Sequence, residues 1–259
     1  MKSAKGLVPY LGGKRNLASR IVPMIEAIPH RCYAEPFVGA GGIFFRRTKP
    51  AVVEAINDAG GEIVNLFRIV QRHPKALLDQ LRLDLHARAT FDRLLASNPA
   101  TLTDIERAAR FHMLQGARFR SDPTDGSFIS NPATARGKSP VAVRRHLLAS
   151  HRRLARVTIE RLDFEVFIKR YDRPDTLIYV DPPYWGCEAD YGDGLFSRAD
   201  FGRLEAVLKG LRGRFVLSLN DRPEIRRLFA WASIQAVETT YGSIRPIKAA
   251  ELIITSPGR

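Results

Sequence analysis

Leu177-Ile178-Tyr179-Val180-Asp181-Pro182-Pro183-Tyr184-Trp185 decides how this chain is read. Its first four residues are apolar and mostly β-favouring, the composition of a short buried strand. Two consecutive prolines then end it, because proline lacks the amide hydrogen that a ladder needs and fixes φ. The strand therefore stops at Asp181. The Asp181 carboxylate, the carbonyls that follow and the ring of Tyr184 are presented at the strand's carboxyl end, where open α/β sheets bind ligands. A carboxylate and a proline carbonyl are acceptors only, which suits a planar amino group. An aromatic ring beside them can stack on a flat heterocycle. The same residues also fit a plain strand end, with Asp181 as a cap and Tyr184 as packing. The order of the surrounding motifs separates the two readings.

Upstream, Tyr10-Leu11-Gly12-Gly13-Lys14-Arg15 places two glycines before a lysine. Such a turn lets the backbone approach a ligand closely, and its lysine can meet a carboxylate or a phosphate. The Gly-x4-Gly-Lys-Ser/Thr spacing of a P-loop is absent, and a plain turn fits as well. Asn16 or Gly13 is expected to cap a helix carrying Leu17, Ile21, Met24 and Ile25. Tyr33-Ala34-Glu35-Pro36-Phe37-Val38-Gly39-Ala40-Gly41-Gly42-Ile43-Phe44-Phe45 reads as a strand end, a glycine loop and a helix start. The free amides of such a loop suit a polar or anionic part of a ligand. Its Phe-x-Gly-x-Gly spacing differs from the Gly-x-Gly-x-x-Gly of dinucleotide sites. Residues 51–56 form a second expected strand, ending in Asn57-Asp58. Asp58 follows the glycine loop by about twenty residues, the place of an acid that accepts from ribose hydroxyls. It equally fits a cap for the helix bearing Glu62, Ile63, Leu66, Phe67 and Val70.

From Pro74 to Arg156 the pattern turns helical and basic. Leu77, Leu78, Leu81, Leu85, Phe91, Leu94 and Leu95 suggest helices, and residues 105–114 another. Residues 121–140 are rich in turn formers and read as an exposed loop. Arg107, Arg110, Arg118, Arg120, Arg136, Lys138, Arg144, Arg145, Arg152, Arg153 and Arg156 surround it, against only Asp122 and Asp125. Phosphate contacts are expected here, although a solvated arginine-rich face fits the same pattern. Val157 to Phe164 reads as a strand ending in Asp163-Phe164, whose acid can accept from an adenine amino group while the ring packs on its face; a strand end with a buried Phe is the plainer alternative. Beyond the proline pair, Trp185 to Phe196 is an aromatic loop placed as a flap. Phe201, Leu204, Val207 and Leu208 suggest a helix, and Arg214 to Asn220 a strand. Residues 234–241 and 251–255 would form a terminal hairpin around a loop, 242–249, that carries Arg245 and Lys248.

The chain has 259 residues, a net charge of +14 and two cysteines, Cys32 and Cys187. The charge favours a polyanion such as nucleic acid over an anionic membrane surface. No apolar run approaches the roughly 20 residues that span a bilayer. No signal peptide, disulfide framework or Cys/His metal spacing is evident, so a cytoplasmic protein is the default.

With Tyr-x-Gly-Gly-Lys, Glu-Pro-Phe-x-Gly-x-Gly, Asn-Asp, Leu-Asp-Phe and Asp-Pro-Pro-Tyr in that order, the chain resembles the Dam-like (D12 class) N6-adenine DNA methyltransferases. The likeness runs from about Pro9 to Thr255, and Arg173-Pro174-Asp175-Thr176 with Trp185-Gly186-Cys187 look more like phage and prophage members. The resemblance implies an α/β, Rossmann-like S-adenosylmethionine-dependent sheet formed by residues 1–73 and 157–259. A helical target-recognition insertion would occupy residues 74–156. It implies cofactor contacts at Tyr10, Lys14, Glu35, Pro36, Phe37, Gly39 and Gly41. Asp58 would hold the ribose, Asp163 with Phe164 the cofactor adenine, Asp181 would also contact the cofactor, and Asp181 through Tyr184 would hold the target adenine. Asp181, Pro182, Pro183 and Tyr184 would be catalytic. Arg118, Arg120, Arg136, Lys138, Arg144 and Arg145 are the expected DNA contacts.

The partner implied is double-stranded DNA, with a cognate restriction enzyme admitted and action as a monomer expected. Two departures stand out. Asp58-Ala59-Gly60 replaces the frequent Asp-Ile-Asn, and the aromatic, asparagine-rich pattern of the recognition segment is poorly represented around residues 118–130. Other readings are N4-cytosine methylation on the same fold, an RNA or protein methyltransferase, and a catalytically silent DNA-binding protein. Intact Gly39, Gly41, Asp58 and Asp181 argue against the last.

Overall fold

The two strands that end in the glycine loop and in Asp181 lie side by side at the centre of the sheet. In the computed structural model, which describes residues 6–9, 14, 16–82, 87–118, 128, 139–188, 194–241 and 247–257, β1 (Cys32–Glu35) pairs in parallel with β4 (Thr176–Val180). On the other side β1 pairs in parallel with β2 (Val53–Asn57), and β2 with β3 (Thr158–Glu160). Beyond β4 come β5 (Arg214–Asn220) in parallel, then β7 (Ile247–Thr255) and β6 (Ser233–Tyr241), each antiparallel to its neighbour. The order of the seven-stranded sheet is β3-β2-β1-β4-β5-β7-β6. The chain runs outward from β1 in one direction and then resumes from β4 in the other. The point of reversal is therefore the crevice between the carboxyl ends of β1 and β4, where such sheets take their ligands. The α/β, Rossmann-like class expected from the sequence is the one observed.

Period-two alternation sends the strand side chains to two cores. On one face Tyr33, Ile56, Leu177, Tyr179, Val216 and Ile253 meet α1 (Ala18–Ala27) and α2 (Gly61–Arg72). On the other, Ala34, Ile178, Val180, Leu217 and Ile254 meet α7 (Phe164–Tyr171), α8 (Asp200–Lys209) and α9 (Pro223–Leu228). All five residues of β4 are buried, which is why that strand reads as an unbroken apolar run.

Residues 74–156 contribute α3 (Pro74–Leu81), α4 (Arg88–Ala96), α5 (Asp104–Ala117) and α6 (Pro140–Leu154). Proline opens α3 and α6, where its missing N–H costs nothing. A capping box of Thr103 and Glu106 opens α5. Ala108, Ala109, Leu147 and Leu154 join the same core as α1 and α2. Phe91, Leu114 and Ala117 form a small core of their own, with Phe128 packed against it.

Four local expectations differ. Helix α1 has Leu17 at its N-cap with no side-chain bond, not Asn16 or Gly13. The Ala18 amide already donates to the Lys14 carbonyl at 2.8 Å, so helical bonding starts inside the glycine turn. The glycine loop leads into a short 3-10 turn, Phe44–Arg46, in place of an α-helix, because the chain must become extended again before β2. Strand β3 stops at Glu160, short of Phe164. The Asn57 side chain intercepts the backbone of Leu162 there, and Asp163 caps α7. The terminal hairpin loop is also shorter than expected, since β7 begins at Ile247. The exposed loop over 121–140 falls almost wholly outside the described residues, as do the centre of the Trp185–Phe196 flap and Arg245.

Candidate active site

The glycine loop takes its shape from φ angles of +49° at Gly39 and +78° at Gly41, a region that side-chain-bearing residues rarely adopt. A Cβ at Gly41 would lie 2.7 Å from the Phe45 ring, so the position also lacks room for a side chain. Asp58, past the end of β2, ties this loop to the start of α2. One carboxylate oxygen accepts from the Gly39 amide at 2.9 Å and the other from the Gly60 amide at 2.8 Å. Burial raises the Asp58 pKa, and these two amides oppose the shift by favouring the charged form. Asn57 performs a parallel task. Its Nδ2 donates to the carbonyls of Pro36 and Leu162, both at 3.0 Å, joining the ends of β1, β2 and β3. The sequence reading attached no role to this side chain.

Below the loop lies an aromatic cluster. The Phe37 ring is 5.4 Å from Phe164 and 5.7 Å from Phe196. Phe164 follows Asp163, whose Oδ1 accepts from the Glu165 amide at 2.9 Å and pairs with Arg203 at 2.8 Å. The Arg203 guanidinium sits 4.7 Å from the Phe164 ring centre. The structure thus brings Phe37, Asp163 and Phe164 to one side of the glycine loop.

Asp181 is the centre of the other side. Its Oδ1 receives Lys14 Nζ at 2.8 Å and the Ser218 hydroxyl at 3.1 Å. Ser218 in turn shares a hydrogen bond of 2.9 Å with the Tyr179 hydroxyl. The Lys14 ammonium lies 4.1 Å from the centre of the Tyr184 ring and donates to the Tyr184 hydroxyl. That hydroxyl donates to Glu251 Oε1 at 2.6 Å, and Lys14 is 3.9 Å from Glu251 Oε2. Lys14 therefore crosses from the glycine turn to the strand ends, and the carboxylate it meets is Asp181. Pro182 and Pro183 are buried, while Asp181 and Tyr184 keep partial access to solvent. After them, the Trp185 backbone is clasped by Asn220, which accepts from its N–H at 3.0 Å and donates to its carbonyl at 2.9 Å. Gly186 at φ +90° turns the chain into the flap.

The electrostatics of this pocket are acidic. Asp181 and Glu251 share the Lys14 ammonium, and Glu35 lies near enough to Asp181 to feel its charge. Burial raises the pKa of Asp181 and of Glu251, with Lys14 acting against it in both. Glu35 is pushed up to about 8 by burial, opposed by its bond from the Tyr33 hydroxyl and by Arg47, and reinforced by the charge of Asp181. A pocket of this kind favours a cation and an amine that can donate.

The expected polyanion surface divides into two groups of arginines. Arg144 and Arg145 are exposed on α6, and Arg118, half-buried, forms a lone β-bridge with Phe128. Arg120, Arg136, Lys138 and Tyr10 lie outside the described residues. Arg107, Arg110 and Arg153 have internal partners instead: Glu62, the Leu94 carbonyl and Glu54. Ser218 and Glu251 were not singled out from sequence for the base side of the site, and Asn220, at a strand end on the same edge, carried no assigned role. Ser218 and Glu251 look like ordinary polar members of apolar strands, and only the position of Asn220 at a strand's carboxyl end was a signal.

A family model described as D12 class N6 adenine-specific DNA methyltransferase matches residues 10–242. Type II methyltransferase M1.LlaDCHI of Lactococcus lactis subsp. cremoris is 28% identical over 277 aligned positions, spanning 96% of this chain and 94% of that protein. Type II methyltransferase M.CviBI of Paramecium bursaria Chlorella virus NC1A is 24% identical, over 87% of this chain and 86% of its own. Among solved structures, precorrin 8W decarboxylase from Methanobacterium thermoautotrophicum aligns over 93% of this chain and 89% of its own, at TM-score 0.44 and 9% identity. Among the described residues no helix is long and apolar enough to cross a membrane.

Proposed function

The chain belongs to the D12 class of N6 adenine-specific DNA methyltransferases, and from that premise we propose which residues carry the transfer. The observation that carries the reading is the junction of the glycine loop with Asp181, Pro182 and Tyr184 at the reversal between β1 and β4. The methyl donor is S-adenosylmethionine. The residues fit it: the loop is closed to side chains at Gly41, and the acidic pocket suits a sulfonium cation. When bound, this cofactor supplies an electrophilic methyl group. Lys14, Glu35, Pro36, Phe37, Gly39 and Gly41, together with Tyr10, would hold its methionine end. Lys14 serves through its backbone and stem, because its ammonium is engaged by Asp181. Asp58 faces the ribose and keeps one lone pair on each oxygen beyond the two amide bonds. Phe164, with Asp163 and Phe37, takes the cofactor adenine.

The target adenine leaves the duplex and stacks on Tyr184. The Asp181 carboxylate and the Pro182 carbonyl would accept from N6 and localise its lone pair on the nitrogen, and the proton displaced when N6 is methylated would leave through the Asp181 carboxylate. Pro183 holds the turn that aims the carbonyl. Positioning and fixed electrostatics supply the rate, and no protein nucleophile is required. Residues 1–73 and 157–259 form the catalytic part, and residues 74–156 read the DNA, with Arg118, Arg120, Arg136, Lys138, Arg144 and Arg145 on phosphates and bases. The Type II names of the two relatives support a restriction-modification setting with a cognate endonuclease. The protein acts in the cytoplasm as a monomer on its DNA, consistent with its two free thiols.

The test is incubation with S-adenosylmethionine and mixed-sequence duplex DNA, followed by nucleoside mass spectrometry. N6-methyladenine is expected from the native protein and none from Asp181→Ala, which still binds DNA. N4-methylcytosine would overturn the base assignment. An Asp181→Ala protein of near-native activity would remove Asp181 from the mechanism.

A further inference from the structure

Glu251 is among the most deeply buried acids of the chain, fully shielded on β7 opposite Asn220 of β5. Because β7 runs antiparallel to β5, its Glu251 end reaches the same sheet edge as Asp181. One oxygen is used, accepting from the Tyr184 hydroxyl at 2.6 Å. The other, Oε2, accepts no hydrogen bond from any described residue, and Lys14 Nζ lies 3.9 Å from it. A buried carboxylate oxygen left without a hydrogen bond is costly to folding. Its presence calls for a functional reason.

The charges around Lys14 supply one. Asp181 alone, facing a buried ammonium at 2.8 Å, would be largely neutralised and would draw weakly on an amine. A second carboxylate on the same ammonium leaves the group with an excess negative charge. We propose that Glu251 is a positioning residue for methyl transfer: it holds the Lys14 ammonium shared between two carboxylates, so that Asp181 keeps the charge with which it accepts from the target amine. The inference rests on the proposed role of Asp181. Glu251 touches neither base nor methyl group in this scheme, and acts through Lys14.

Glu251→Gln tests it in the full chain, because the amide oxygen can still accept from Tyr184 while the charge is lost. Single-turnover methyl transfer at saturating S-adenosylmethionine and DNA should fall by about tenfold or more. The melting temperature should hold or rise, since an incompletely bonded buried charge is removed. In the Lys14→Met background the same Gln change should cost almost nothing more, because the ammonium it balances is gone. Three results would overturn the proposal: a Glu251→Gln rate within about twofold of native, joint loss of stability and activity, or losses that simply multiply in the double variant. Asp181→Ala is run alongside. If that protein transfers methyl groups normally, the underlying site reading fails, whatever Glu251 does.

Discussion

Glu35 shows how a single buried acid ties the site to the stability of the fold. It lies at the carboxyl end of β1, 1% exposed, with the Tyr33 hydroxyl on its Oε1. Burial lifts its pKa from 4.5 to about 8. Between those values the folded protein holds the Glu35 proton and the unfolded chain does not. Stability therefore falls as pH rises from about 4.5 to about 8, and levels off above that. The Glu35→Gln protein should melt several degrees above native near pH 8.5, with the gap closing toward about pH 5. A melting series across that range checks it, and an unchanged gap would refute the assignment. Glu35 was legible in the sequence because it opens a motif at a strand end. The same holds for Asp58 and Asp181, since a polar residue closing an apolar run has little to do except meet a ligand or cap a turn. Ser218 and Glu251 were not legible. Each sits within its strand, where alternation alone does not distinguish a residue facing water from one facing a covered polar site.

Among the elements, α6 is joined to the sheet by an ion cluster as well as by Leu147 and Leu154 in the shared core. Glu54 of β2 receives Arg47 at 2.6 Å and Arg153 of α6 at 2.8 Å. Arg47 lies 3.5 Å from the centre of the Tyr33 ring, and Arg153 3.9 Å from that of Phe44. Among the described residues Glu54 is the acid ion-paired with both guanidiniums, and the Arg47 side chain is wholly buried. Glu54→Ala leaves that charge uncompensated and should cost about 3–5 kcal/mol in urea unfolding. Lys169→Ala, breaking a solvent-screened pair with Glu165, should leave the unfolding midpoint almost unchanged. A Glu54→Ala loss as small as that of Lys169→Ala would mean that water reaches Arg47 after all. This clasp also marks a limit of reading charge from sequence. Arg107 and Arg153 belong to a stretch with almost no acids of its own, so they counted toward a polyanion surface. Their partners, Glu62 and Glu54, come from elements well upstream. The helices themselves were legible from apolar spacing, whereas the early end of β3 was not. It depends on Asn57, a residue of another strand, catching the backbone of Leu162.

At the scale of the whole molecule, a net charge of +14 predicts DNA binding that weakens steeply with salt, through the release of counterions from neutralised phosphates. The internal pairing of Arg107, Arg110 and Arg153 narrows which charges can contribute. Arg144 and Arg145 stand exposed on α6, on a helix whose Leu147 and Leu154 are fixed in the main core, so their guanidiniums are carried on a rigid support. Each should neutralise about one phosphate, and removing either should reduce the slope of log K against log salt by ~0.9. The Arg144→Ala and Arg145→Ala proteins should keep their melting temperature and, at saturating DNA, their single-turnover rate. Arg153→Ala should behave in the opposite way, losing stability through Glu54 while leaving the slope unchanged. Fluorescence anisotropy with a labelled duplex, titrated at several salt concentrations, measures the slopes. If Arg144→Ala and Arg145→Ala leave the slope at its native value, the duplex does not lie along α6, and the phosphate contacts belong to another face of the protein.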